Sequence, residues 1–217
     1  AVAFGVIQNT SGTPGNINDV LIRAYEPATG ERLWAYTIDH GADDLGLDNI
    51  APSQGRVYFA YMSHACEPGA MCPNWKLSAL DAEDGAPLWS TGWYPGYIDG
   101  LAARGKNVAA TAWHGIHGFN ARNGEHLWSS FDFPEAPLFP VAFSNRVMAA
   151  GFNFDSGFLN VYAVNSKNGE TTWITEVPEA FPEFDFGMSK FDNGDSVDAG
   201  DGLLFVGGTQ LTVFKIH

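Results

Sequence analysis

Apolar residues in this chain come in short runs that alternate with polar ones and are cut by Gly, Asn, Asp and Pro. A period of two puts successive side chains on opposite faces of a strand. The opening Ala1-Val2-Ala3-Phe4 already reads as strand. Four later stretches share one form: Gly55 to Tyr61, Lys106 to Ala112, Asn145 to Gly151 and Asp201 to Gly207. Each opens on turn-forming residues and passes into small or β-forming ones. The alternation and the glycine content argue against helical repeats, so the pattern predicts an all-β chain.

A second element repeats more strictly. Four eleven-residue segments align without gaps, starting at Ala24, Ala79, Gly118 and Ala163 and ending at Trp34, Trp89, Trp128 and Trp173. The shared pattern is a small residue, then Asp, Asn or Glu two places on, then Thr, Asn or Asp followed by Gly, and Trp four places after that Gly. The glycines are Gly30, Gly85, Gly124 and Gly169. Glycine accepts a positive φ without steric cost, so the dipeptides Thr-Gly, Asp-Gly and Asn-Gly mark tight turns. The acidic or amide residue before the turn can bond local backbone. Each segment is therefore a hairpin with Trp early in its second strand, and the four Trp side chains are expected to pack between units.

The first three of the runs above each precede a hairpin, and each is preceded by a short segment ending in a polar turn, as in Ile50-Ala51-Pro52-Ser53-Gln54. A full unit thus holds four strands, A to D, with the hairpin as C and D. The Trp residues are 55, 39 and 45 residues apart, a mean of about 46. Repeats of that size with four strands each predict β-propeller blades. The expected blades are about 1–38, 49–93, 98–131, 138–177 and 197–217, the first lacking its A strand and the last its D strand.

These hairpins closely resemble the tryptophan-docking repeats of the PQQ-like β-propeller family, of quinoprotein and BamB type. The resemblance covers about Val2 to Ile216. It implies that Gly30, Trp34, Gly85, Trp89, Gly124, Trp128, Gly169 and Trp173 are structural docking residues. Family rings usually have about seven or eight four-stranded blades. The four to five here therefore imply part of a larger ring, whose remaining blades lie on the same chain or another. The chain opens without an initiator Met or a basic leader and reads as mature, processed or partial.

Composition narrows the function. The chain has 217 residues and is 45% hydrophobic and 17% charged, too apolar for a disordered chain. It holds 11 basic against 25 acidic residues, a net charge of −14, and shows no Lys or Arg cluster for nucleic acid or anionic lipid. No apolar run approaches the roughly 18 residues of a spanning helix. The acids are placed unevenly. In an antiparallel blade the long B–C and D–A connections share one end, here about 8–20, 62–76, 153–158, 39–49, 92–98, 132–137 and 177–196. Sixteen of the 25 acids fall in or beside them, Asp43, Asp44, Asp48, Glu183 and Asp185 among them. Such a face serves solubility, or attracts a cation or a cationic partner by focused negative potential.

Other chemistry is thin. Cys66 and Cys72 flank a Pro- and Gly-bearing loop and read first as a disulfide, which would imply an oxidising compartment. Reduced thiols, or zinc with His64, are the other readings. Asp192, Asn193, Asp195 and Asp198 offer oxygens for Ca²⁺ without the closing Glu of an EF-hand. His114 and His117 read as ordinary turn histidines. No nucleophile elbow, zinc-protease signature or phosphate loop is present. The resemblance implies two function classes. The first is a periplasmic or extracellular, non-catalytic binding and assembly scaffold whose acidic long-loop face meets a protein partner. The second is a piece of a PQQ- and Ca²⁺-dependent dehydrogenase of alcohols or sugars, although neither an adjacent-cysteine pair nor a Cys-x-x-Cys-His haem site occurs.

Overall fold

The structure is a computed structural model that describes residues 3–8, 20–38, 45–63, 73–112, 115–131, 133, 138–143, 145–153, 158–177, 197–200, 203–206 and 212–215. All regular structure among these residues is strand, in five antiparallel sheets whose neighbouring strands, one short strand excepted, are consecutive in the chain. The first sheet holds β1 (Ala3–Gln8), β2 (Val20–Tyr25) and β3 (Arg32–Ile38). The second holds β4 (Leu45–Ser53), β5 (Arg56–Ser63), β6 (Asn74–Asp81) and β7 (Pro87–Ser90), with β8 (Tyr94–Pro95) also paired to β6. The third is β9 (Ile98–Arg104), β10 (Asn107–Ala112), β11 (Gly115–Asn120) and β12 (His126–Ser130). The fourth is β13 (Leu138–Phe143), β14 (Arg146–Asn153), β15 (Phe158–Asn165) and β16 (Thr171–Val177). The fifth is β17 (Val197–Gly200), β18 (Leu203–Val206) and β19 (Thr212–Lys215).

Two stretches expected to be connections differ. Of the expected connection 39–49, residues 45–49 already belong to β4, and β8 sits inside 92–98. Tyr94 pairs with Trp75 across the strands, their rings stacked at 4.8 Å, and Gly96 N–H donates to the Pro73 carbonyl at 2.8 Å. Ring stacking over a buried Trp holds this segment to the sheet despite its Pro and Gly.

The chain divides into two units, one of 1–98 with 122–125 and one of 99–121 with 126–217. In the first unit, Ile22, Ala24, Trp34 and Ile38 of one sheet pack on Val57, Phe59, Tyr61 and Leu80 of the next. In the second, Ala109, Ile116 and Trp128 pack with Phe133 on Val147, Ala149, Tyr162 and Val164. Inner strands such as β5 are buried on both faces, whereas outer strands such as β3 and β12 alternate between buried and exposed. This division explains why the inner strands read as continuous apolar runs.

The repeated hairpin has a geometric cause for each of its positions. The small residue that opens it lies directly opposite the Trp: Ala24 to Trp34, Ala79 to Trp89, Gly118 to Trp128 and Ala163 to Trp173. A Cβ on Gly118 would come within 2.1 Å of the Trp128 ring. All four hairpins carry a register shift immediately after that residue. The turn glycines have φ of 72–75°. Three of them also meet an indole: a Cβ would lie 2.7 Å from Trp34 at Gly85, 2.5 Å from Trp89 at Gly124 and 2.5 Å from Trp128 at Gly169. Each of those contacts joins one hairpin's Trp to the turn of the next hairpin along the chain.

Side-chain and backbone bonds fix the turns. Asp81 and Asn165 accept from the amide two residues on, at 2.8 and 2.9 Å. Thr29, Asp84, Asn123 and Asn168, just before each glycine, do the same. The indole N–H of Trp34 donates to the Ala82 carbonyl at 3.1 Å, and that of Trp128 to the Ser166 carbonyl at 2.9 Å. Ala82 and Ser166 in turn donate their own N–H groups to Gly55 and Asn145 in the A–B turns of their sheets. Indole, hairpin turn and A–B turn thus form one bonded series at the tight-turn end.

Candidate binding site

Every second residue of β5 and β6 faces the first sheet. On β6 these are Lys76, Ser78 and Leu80, opposite Tyr61, Phe59 and Val57 of β5. Ser78 also lies opposite Ser90 of β7. In the other hairpins the residue at the Ser78 place is large: Arg23, His117 and Tyr162, opposite Ala35, Ser129 and Ile174. In the second sheet two serines meet there instead. The space they leave is a groove of about 340 Å³ within the first unit, lined by Tyr36, Ile38, Phe59, Tyr61, Lys76, Ser78 and Ser90, with Leu80, Pro87, Leu88 and Trp89.

The groove has an aromatic wall and a polar floor. Phe59 stacks on Tyr61 at 5.9 Å, Tyr36 tilts against Phe59 at 6.2 Å, and Trp93 meets Tyr61 edge-on at 5.6 Å. The Ser78 and Ser90 hydroxyls are 2.6 Å apart. Tyr61 is 5% exposed and Ser78 6%. Burial raises the Tyr61 hydroxyl above the ordinary tyrosine value, with its bond to Ser78 acting against the shift. The Lys76 ammonium sits 5.5 Å from the centre of the Trp93 ring, a cation–π distance that holds the charge at the rim. Among the described residues the lining contains no carboxylate and no amide side chain.

The matching place in the third sheet, in the second unit, is filled by an imidazole. His117 is not in a turn but in β11, 9% exposed. Its Nε2 donates to the Ala112 carbonyl at 3.3 Å, because a carbonyl can only accept. Nδ1 therefore accepts from the Ser129 hydroxyl at 2.9 Å, and His126 Nε2 lies 2.9 Å from the same oxygen. Burial, with the nearby His126, pushes the His117 imidazole down to about 4 from 6.5, the Ala112 bond opposing. The partial covering of its ring also lowers His126. At neutral pH both rings are uncharged. The pair was missed in sequence because the strand that carries His117 opens on Gly115 and resembles a turn.

The other expected site residues divide by whether they are described. Gly30, Trp34, Gly85, Trp89, Gly124, Trp128, Gly169 and Trp173 all lie on the hairpins set out above. Cys66, Cys72, His114, Asp43, Asp44, Glu183, Asp185, Asp192, Asn193 and Asp195 lie outside the described residues. Asp48 falls in β4 and Asp198 in β17, which places their backbones only. Among the described residues no three His, Cys, Asp or Glu side chains converge on a metal position. Among the described residues no helix is long and apolar enough to cross a membrane.

A family model described as outer membrane protein assembly factor BamB, built of PQQ-like repeats, matches residues 18–215. The chain belongs to this family. The structure is similar to BamB from Moraxella catarrhalis at 13% identity and a TM-score of 0.59, covering 100% of this chain and 62% of that one. It is similar to the computationally designed protein Ika8 at 14% identity and 0.59, covering 93% and 56%. A second designed protein, Ika4, matches at 13% identity and 0.56, covering 87% and 100%. The chain thus spans 56% of the length of Ika8 and 62% of that BamB. No curated protein sequence matches it. At such identities the structural likeness speaks for the fold alone, an all-β propeller architecture of four-stranded antiparallel blades.

Proposed function

We propose that the chain acts as a non-catalytic binding or assembly scaffold at the cell envelope, on the periplasmic or outer side. The observation that carries the reading is the family match over 18–215, to a family described as an outer membrane assembly factor. The Trp–Gly contacts support it, because they commit the repeated residues to joining hairpins rather than to chemistry. On this reading they are docking contacts, and further blades of the same or another chain extend the series. The acidic long-loop end is the surface offered to a protein partner, with the charge of −14 drawing a cationic one.

Two measurements test this. Deleting the gene should lower the level of folded outer-envelope proteins, and restoring the chain should return it. Titrating the purified protein with PQQ and Ca²⁺ should leave its absorbance spectrum the sum of the components, with no dye-linked alcohol oxidation. Quinone-dependent turnover would overturn the scaffold reading.

A further inference from the structure

We infer that the groove over Ser78 and Ser90 is a binding site for a small aromatic monocarboxylate, with Lys76 as its charge partner. The inference does not depend on the scaffold reading, since it concerns one face of one sheet. It starts from a difference between repeats. Where the other hairpins place Arg23, His117 or Tyr162, this one has Ser78, and the volume left open is about 340 Å³. That is the lower range of small-ligand pockets. In the second unit the equivalent places are filled from within the protein. The His117 ring is held by Ser129, and Phe133 meets the Tyr162 ring at 4.7 Å.

The chemistry of the lining selects the class. The partly exposed Tyr36 ring, backed by the buried Phe59 and Tyr61, favours a flat apolar body through offset or edge contacts between rings. The floor presents the Ser78 and Ser90 hydroxyls. Among the described residues of the lining Lys76 is the one charged group, in a protein with 25 acids against 11 bases. A cation in such a setting is matched by one negative charge on the ligand. Neutral sugars are held mainly through carboxylates, which accept from their hydroxyls, and amide side chains, which both accept and donate. The described residues of the lining include neither, and this argues against a sugar.

The test uses indole-3-acetate as probe, with indole-3-acetamide as its neutral isostere and maltose as the sugar, each titrated calorimetrically into the purified chain. The acetate should bind saturably at one site, with the amide about tenfold weaker or more, as expected for loss of one charge-assisted bond. Lys76→Gln should bring the acetate down to the affinity of the amide. Ser78→His, which copies the His–Ser pair of the third sheet, should fill the groove and abolish binding while circular dichroism and the thermal midpoint stay near those of the parent. Equal affinity for acetate and amide overturns the inference. So does maltose binding in place of the acetate, retention of acetate binding by a folded Ser78→His variant, or no saturable binding of the acetate.

Discussion

Replacing Gly85 by Ala should cost markedly more than replacing Gly30 by Ala, although the two glycines occupy the same place in successive copies of the hairpin with φ of 75° and 72°. Forcing an L-residue into this left-handed region costs about 1–2 kcal/mol at either site. Around Gly30 a Cβ would meet nothing within 4 Å among the described residues, so that is the whole expected loss. At Gly85 the new carbon would lie 2.7 Å from Trp34 Cε3 and 2.8 Å from Cδ2. The indole is a rigid bicycle backed by Ile22, Val57 and Leu80, and it cannot give way cheaply. Its displacement also stretches the 3.1 Å bond to the Ala82 carbonyl. Overpacking at about 1–3 kcal/mol and the weakened bond at about 1 kcal/mol bring the Gly85→Ala loss to roughly 3–6 kcal/mol. Urea unfolding followed by far-ultraviolet circular dichroism measures both losses. A cycle with Trp34→Leu isolates the cause: in that background the Gly85→Ala penalty should fall to that of Gly30→Ala. The reasoning fails if the two glycines cost the same, or if the Gly85 penalty persists without the indole.

Gly118→Ala should lower stability by about 2–4 kcal/mol, because its Cβ would overlap Trp128, whereas Gly92→Ala, in open space, should be near neutral; thermal unfolding compares them. Asp84→Ala removes the acceptor of the Ala86 N–H in an exposed turn and should cost about 1 kcal/mol by denaturant midpoint. His117 has a folded pKa of about 4 against 6.5 in the unfolded chain, so between these values the unfolded state binds more protons. Its effect is absent above about pH 6.5 and reaches a loss of about 3 kcal/mol by pH 4. His117→Gln should therefore flatten the fall in urea stability from pH 6.5 to 4, and an unchanged slope would show that the ring titrates normally.

The hairpins were legible because their pattern repeats without gaps and each position has a local cause: Gly for a positive φ, Asp or Asn for an amide two residues on. That Ala24, Ala79, Gly118 and Ala163 must be small could be read as a regularity but not explained, since the reason lies across the strand in the Trp ring. Strand β8 was hidden because Trp93-Tyr94-Pro95-Gly96 carries turn residues, and only the stack on Trp75 makes it strand. His117 was misplaced for the same kind of reason: its role depends on Ser129, twelve residues away. The groove was invisible in the linear pattern. Ser78 becomes informative only once the register places it beside Ser90 and level with Arg23, His117 and Tyr162.

That last comparison bears on how such a fold can carry a site at all. Each third strand of a blade has two rows of side chains on opposite faces. One row, beginning with the small residue, is pinned by its Trp and by the glycine turn of the next hairpin. The row one residue earlier faces away from that contact and holds Arg, Ser, His and Tyr in turn. Because the strand period is two, a change in the second row leaves the first untouched. The repeat can therefore keep its stacking geometry while a single blade trades a filling side chain for a hollow. In this chain the trade lies in the second sheet, where the hollow coincides with an aromatic wall and a lysine at the rim. Ser78→His is the most economical check on this separation. It should close the groove while leaving the Trp34 contact with Gly85 and the Trp89 contact with Gly124 in place, with unfolding free energy within about 1 kcal/mol of the parent because the new ring fills open volume rather than packed core. A large loss of stability would mean that the two rows are mechanically coupled, and that the groove belongs to the packing of the blade rather than to a ligand.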